Sequence, residues 1–368
     1  MNRLILVGNG FDLAHGLKSS YADFINWYWN EWGMRLLKAS TFEESDELCS
    51  FVSNLKVEGH RLTWFQLQQC HYIKKEDFFQ PWDGNKIVKQ IRSKEYCQFK
   101  YKSPFFEQIN KSFGIKGWVD IENEYYSMLI REKDYGDRIK ALNKQLVFLR
   151  EKLIEYLAQE SQMRTSIIEG IKEKIYCPIQ PKEIEIARQK ESLLVDNSIS
   201  NIMLLNFNYT NTPLRYIDDL LNVVLNYIHG HIEIPQSVIF GYGDELDGNY
   251  NRLKEQNNNE CLRHMKSINY LESDNYRKML EFIESAPFQV CIMGHSCGRS
   301  DRTLLNTLFE HRNCVSIKPY YHQKHDGTDN YIELVQNISR NFTNMKLMRD
   351  RVVNKTFTEP LTKTKSHN

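Results

Sequence analysis

Residues 3–7, Arg-Leu-Ile-Leu-Val, form a short apolar run that stops at Gly8. A run of this kind predicts a buried strand followed by a tight turn. From Ser20 the period changes: Tyr21, Phe24, Ile25, Tyr28 and Trp29 recur at spacings of three and four, which predicts a helix. Ser20 is its expected N-cap, with Asp12 as a rival start if helix begins earlier. Between 33 and about 200 helical spacing dominates. Over 136–160, Ile139, Leu142, Leu146, Leu149, Leu153 and Tyr156 keep one face, and Trp118-Val119-Asp120-Ile121-Glu122 opens another helix continued by Tyr125, Leu129 and Ile130. Cys177-Pro178-Ile179-Gln180-Pro181 marks a break.

Strand-like runs return afterwards at Ile202–Phe207, Val223–Ile228, Ser237–Phe240, Phe288–Met293 and Cys314–Lys318. They read as strands of a buried parallel sheet. The first strand needs partners, and the helical stretch offers few. Pairing it with the later strands gives an α/β, Rossmann-like parallel sheet with a large helical insertion. The sheet domain is then discontinuous, 1–32 and 200–348. Residues 33–199 form the insertion, expected to act as a lid, an interaction surface or plain core, and 349–368 form a flexible tail.

Composition narrows the picture. Of 368 residues, 41% are hydrophobic and 26% charged, with a formal net charge of +1. That balance leaves no electrostatic footprint for a nucleic-acid partner. The eight cysteines include no Cys-x-x-Cys pair, so a cysteine-rich zinc site is not expected. Their scatter, with no signal-peptide pattern at Met-Asn-Arg-Leu, fits reduced thiols in a cytoplasm. No apolar run approaches the roughly 20 residues of a spanning helix, so no membrane partner is expected.

The candidate chemistry begins at Gly8-Asn9-Gly10-Phe11-Asp12. Strand, Gly-x-Gly, helix is the arrangement that cradles a phosphate: glycine admits close backbone approach, and the helix N-terminus attracts an anion. The third glycine, Gly16, comes six residues after Gly10 rather than three, and no acidic residue ends a second strand about 20 positions on. Both points depart from the ordinary dinucleotide fingerprint. The segment Gly8-Asn9-Gly10-Phe11-Asp12-Leu13-Ala14-His15-Gly16-Leu17-Lys18-Ser19-Ser20-Tyr21 resembles the opening motif of the AbiH-type phage abortive-infection family. Trp118–Glu122, Asn206-Phe207-Asn208-Tyr209-Thr210 and Gly294-His295-Ser296 are similar to that family's pattern too. The resemblance implies a role in bacterial antiviral defence.

A more distant likeness concerns chemistry. Gly8-x-Gly10, then Gly16-Leu17, is similar to the glycine loop of sirtuins and of sirtuin-like NAD hydrolases, with Lys18 in place of a proline and Asp12 in place of a serine. That likeness implies a sirtuin-like domain with an asparagine after one strand and a His-Gly about 20 residues later. Asn208 and His229-Gly230 stand in those places, 21 positions apart and at the carboxyl ends of expected strands. It also implies NAD as substrate or ligand. Gly8, Asn9, Gly10, Phe11, Asp12, Gly16, Gly294, His295, Ser296 and Asp301 are the expected nucleotide contacts. Breaking the nicotinamide–ribose bond builds oxocarbenium-like charge on the sugar. Asn208 could orient the ribose or a water, His229 could accept a proton, and Asp12 could lend negative charge. The two Cys-x-x-Cys pairs of sirtuin deacetylases are missing, which argues against deacetylation.

Two alternatives stand beside NAD hydrolysis. One is a nucleotide-sensing module without catalysis. The other is a Ser296 hydrolase, because Gly294-His295-Ser296-Cys297-Gly298 satisfies G-x-S-x-G. The bland reading of that segment is a turn capped by Ser300 or Asp301 ahead of Leu304, Leu305 and Leu308. No metal is expected: His229 and His231 alternate along an extended run and would face opposite sides. A homo-oligomer or a phage-derived trigger is the expected macromolecular partner.

Overall fold

The computed structural model describes residues 1–39, 43–53, 56–57, 60–61, 97–116, 121–162, 166–189, 198–218 and 222–362. In chain order the described strands are β1 (Asn2–Val7), β2 (Glu43–Ser45), β3 (Cys49–Ser53), β4 (Lys56–Val57), β5 (His60–Arg61), β6 (Cys97–Tyr101), β7 (Asn201–Asn206), β8 (Val223–Tyr227), β9 (Phe288–Met293) and β10 (Cys314–Tyr320). The chain divides into two compact units, Met1–Ser19 with Leu157–Asn368, and Ser20–Tyr156. The inserted unit begins and ends earlier than the 33–199 expected from sequence, so the helix at Tyr21 belongs with it.

The first unit is a five-stranded sheet in the order β10-β9-β1-β7-β8, with every pairing parallel. Alternation along β1 sends Leu4 and Leu6 to one face and Ile5 and Val7 to the other. Both faces are covered. Helices Asn275–Ser285, Arg302–Phe309 and Tyr331–Arg340 place Ile283, Leu305 and Ile338 on the first. Phe11, with Ile171 and Ile175 of helix Glu169–Tyr176, packs on the second. Double coverage explains why these strands read as continuous apolar runs. The fold is α/β and Rossmann-like, as expected. From β1 the chain steps outward through β7 and β8, then returns to β9 on the other side of β1. The strand order therefore reverses between β1 and β9, where open α/β sheets bind ligands at the strands' carboxyl ends.

Two expectations need correction. Ser237–Phe240 is not a strand: Pro235–Ser237 forms a 3-10 turn, and Val238, Ile239 and Phe240 follow as buried loop. It is tied down by the Ile239 amide, which donates to the His229 carbonyl at 2.9 Å, and by the Tyr209 hydroxyl, which donates to the Ile239 carbonyl at 3.1 Å. Burial alone made the segment apolar. The end of the chain is ordered from 349 to 362. Arg351 donates to the Phe309 carbonyl at 2.7 Å, the Val353 amide to Ile317 at 2.9 Å and the Leu361 amide to Tyr321 at 2.8 Å. This segment covers the β10 edge, and such backbone pairing leaves no periodic apolar signature. Residues 363–368 lie outside the described residues.

In the second unit, helix Tyr21–Lys38 begins with a capping box between Ser20 and Asp23. Its Phe24, Ile25, Tyr28, Trp29, Trp32 and Leu36 are buried. Helix Gly136–Glu160 runs from this unit into the first and buries Ile139, Leu142, Leu146, Leu149, Leu153 and Tyr156, the face read from sequence. The insertion is not wholly helical: β2, β3 and β6 form an antiparallel sheet. Those strands are short and mix Cys, Ser, Gln and Lys with their aromatics, which hid them. The helix expected from Trp118 is described from Ile121; Trp118, Val119 and Asp120 lie outside the described residues.

Candidate functional site

Two loops meet at the reversal point. Gly8 caps the short helix Asn9–Ala14 after β1, and Gly294 turns the chain after β9. The Gly8 amide donates to the Met293 carbonyl at 3.1 Å and the Gly10 amide to the Gly294 carbonyl at 2.8 Å. A Cβ on Gly8 would overlap the His295 backbone, and one on Gly294, whose φ is +78°, would overlap the Phe11 amide. These glycines therefore let two loops touch backbone to backbone. The Phe11 amide returns to the Gly8 carbonyl at 2.8 Å, so three amides of the expected phosphate cradle, those of Gly8, Gly10 and Phe11, already have protein partners.

Around this seam the expected residues fall into two groups. The first centres on Asp12, which is 1% exposed. Its Oδ2 accepts from Thr210 Oγ1 at 2.6 Å, and its Oδ1 is buried with no hydrogen-bond partner. Burial raises the Asp12 pKa to about 6, against the hydrogen bond from Thr210 and weaker help from nearby Thr212 and Asn208. Asn208 Nδ2 donates to the Gly8 carbonyl at 2.9 Å and so holds the glycine loop. Thr210 and Thr212 also line a pocket of about 310 Å³ with Asn211, Arg215, Glu233 and Leu17. That volume lies at the small end of ligand sites. Asn9 accepts from Ser19 Oγ at 2.5 Å, the Phe11 ring packs on His15 and Tyr216, and Gly16 turns the chain at φ +84°.

The second group centres on Asp301. Its Oδ1 lies 2.8 Å from Lys266 Nζ and 3.3 Å from His229 Nε2, and its Oδ2 lies 3.5 Å from His295 Nε2. Burial by itself would push this carboxyl up. Lys266 and His229 beside it, with hydrogen bonds from both histidines, hold it well below the usual carboxylate range. His229 Nε2 also meets the Tyr270 hydroxyl at 3.1 Å. The Cys297 amide donates to His295 Nδ1 at 3.0 Å, which turns Nε2 of the ring toward Asp301. The groups are neighbours: the Phe207 ring, next to Asn208, packs on His295 at 4.2 Å and on His229 at 5.1 Å between centroids. Asp301 stands at the start of helix Arg302–Phe309 but makes no side-chain cap there.

Ser296 stands apart. It is exposed, and among the described residues no hydrogen bond joins its hydroxyl to a histidine. The left-handed non-glycine residue of this turn is Cys297, φ +54°, a buried thiol pushed up by burial and by Asp301. A nucleophile elbow needs its strain at the exposed serine.

Lys266, Tyr270 and Thr210 were not among the site residues expected from sequence. Lys266 and Tyr270 lie on the long connection between β8 and β9, and no spacing rule links them to Asp301. Thr210 did lie in a segment singled out for its likeness to a family, and that was the available signal. Among the described residues no group of three or more His, Cys, Asp or Glu side chains could hold a metal ion, and no helix is long and apolar enough to cross a membrane.

These loops belong to a Rossmann-like protein with two buried carboxylates at the carboxyl edge of its sheet. The family described as bacteriophage abortive infection AbiH matches residues 4–322, and the chain belongs to that family, which carries a role in antiviral defence. No curated protein and no solved structure matches the chain.

Proposed function

We propose that the chain acts in phage defence by binding NAD at the carboxyl ends of β1, β7 and β8 and hydrolysing its nicotinamide–ribose bond. The observation that carries this reading is Asp12: buried, with one unpartnered oxygen, a pKa raised to about 6, and joined by Thr210 to the lining of a pocket. A carboxylate so placed is ionised at neutral pH and costly to keep charged unless a cation faces it. The oxocarbenium-like ribose supplies that cation transiently. A water oxygen bonds to C1′ as the C1′–N bond breaks. The electron pair goes to the pyridinium nitrogen, so nicotinamide leaves neutral. His229 takes the proton of the water and passes it to solvent. Asn208 keeps the glycine loop in place through the Gly8 carbonyl.

Incubating the purified chain with NAD and following nicotinamide release tests this, with Asp12→Asn as the control. The acid limb of the rate should fall as pH drops through about 6. The absence of both binding and release, in the purified protein and in lysate of infected cells, rules the reading out. A sensor that binds the nucleotide without cleaving it is the second reading. It is favoured by the burial of His229, which is 3% exposed. It predicts saturable binding with no nicotinamide released.

A further inference from the structure

The connection from β8 to β9 does more than link two strands. Residues 241–245 are clamped on both sides. The Tyr242 amide donates to the His264 carbonyl at 3.1 Å, the Lys266 amide to the Tyr242 carbonyl at 2.9 Å, and the Thr303 amide to the Gly243 carbonyl at 3.0 Å. This ladder delivers Lys266, 1% exposed, to Asp301. A lysine–carboxylate pair this deep is weak as a source of stability, because desolvating two charges offsets their attraction. Its placement suggests another use. The same Asp301 Oδ1 that receives Lys266 faces His229 Nε2, and its Oδ2 faces His295.

We propose that Lys266 is a positioning residue that neutralises Asp301 and thereby keeps His229 uncharged, able to accept a proton at neutral pH. A lone buried carboxylate beside an imidazole draws a proton onto it. With an ammonium already on the carboxylate, that pull is cancelled, and Asp301 serves only to orient the ring. The titratable groups packed around His229 are Asp301, Tyr270 and Tyr209, with Lys266 and His295 reached across Asp301; Phe207 is the apolar side. Lys266 is the lysine among them, with its Nζ 2.8 Å from Asp301 Oδ1. The role of His229 as proton acceptor rests on the reading above. Its charge state does not, and can be measured separately.

The test is the imidazole ¹⁵N spectrum of the full chain, with the His229 signals assigned by their loss in His229→Asn. In wild type His229 is uncharged at pH 7. In Lys266→Met its titration midpoint rises by roughly one unit or more and the ring is charged at pH 7. Lys266→Arg keeps the wild-type titration. In nicotinamide release, Lys266→Met lowers kcat by roughly tenfold at pH 7 with KM little changed, and kcat recovers as pH rises through the new midpoint. Should Lys266→Met fail to fold, Lys266→Met with Asp301→Asn carries the ¹⁵N arm of the test: this pair has no buried net charge, and His229 stays uncharged at pH 7. An unchanged His229 titration in folded Lys266→Met overturns the proposal. So does Lys266→Arg behaving like Lys266→Met, or a double variant in which His229 is charged at pH 7. If wild type releases no nicotinamide, the hydrolysis reading fails while the ¹⁵N arm still decides the role of Lys266.

Discussion

Asp12 and Asp301 are the same side chain, both almost wholly buried, in one structural unit and on either side of one loop seam. Burial pushes both carboxyls up. Asp301 is met by an ammonium and two imidazoles and ends well below its ordinary value. Asp12 is met by hydroxyls and an amide, keeps one oxygen without a partner, and ends at about 6. The contrast separates a carboxylate whose charge is met inside the fold from one that the proposed ligand would meet. A satisfied buried charge orients its neighbours. An unsatisfied one is a local instability that makes sense if something cationic visits it.

The sharpest way to break this contrast is to make one substitution at both sites. Asp301→Asn strands Lys266 without its carboxylate and should cost about 3–5 kcal/mol, read as a fall in the denaturant midpoint. Asp12→Asn should do the reverse. The folded pKa of Asp12 lies above its unfolded value, so its contribution to stability is present below pH 4 and lost as pH rises through about 6. Removing the ionisable group should therefore stabilise the protein at pH 7, by about 3 kcal/mol for a shift of this size, and flatten the stability profile between pH 4 and 6. Nicotinamide release should vanish in the same variant. Equal signs for the two substitutions would end the contrast.

Smaller changes sharpen it. Thr210→Val removes the hydroxyl that favours ionised Asp12. It should cost about 1 kcal/mol and move the acid limb of the rate to higher pH. Ser296→Ala, on an exposed turn, should change stability by less than about 0.5 kcal/mol and leave nicotinamide release intact. Loss of activity there would revive a serine nucleophile.

Much of the sheet was legible because a strand buried on both faces is apolar at every position, as Ile202–Leu205 and Val290–Met293 are. The same logic misread Val238–Phe240, since an apolar run cannot distinguish a ladder from a buried loop. The glycines were legible as a special turn, although what they admit is the neighbouring loop at Gly294. Asp12 was visible as a residue, but its raised pKa comes from burial, which only the folded chain shows, and its hydrogen-bond donor Thr210 lies 198 positions away. Lys266 left no trace in the sequence: its partner is 35 positions distant, and the pairing exists only after the connection between β8 and β9 has folded over the seam.

The central claim is that Asp12 makes this chain an NAD-degrading defence protein, and the NAD content of infected cells tests it most directly. Cells expressing the wild-type chain and challenged with a phage it restricts should lose their NAD and release nicotinamide, whereas cells expressing Asp12→Asn at equal abundance should keep their NAD and lose protection. Protection with NAD unchanged, or equal protection by Asp12→Asn, would contradict the account.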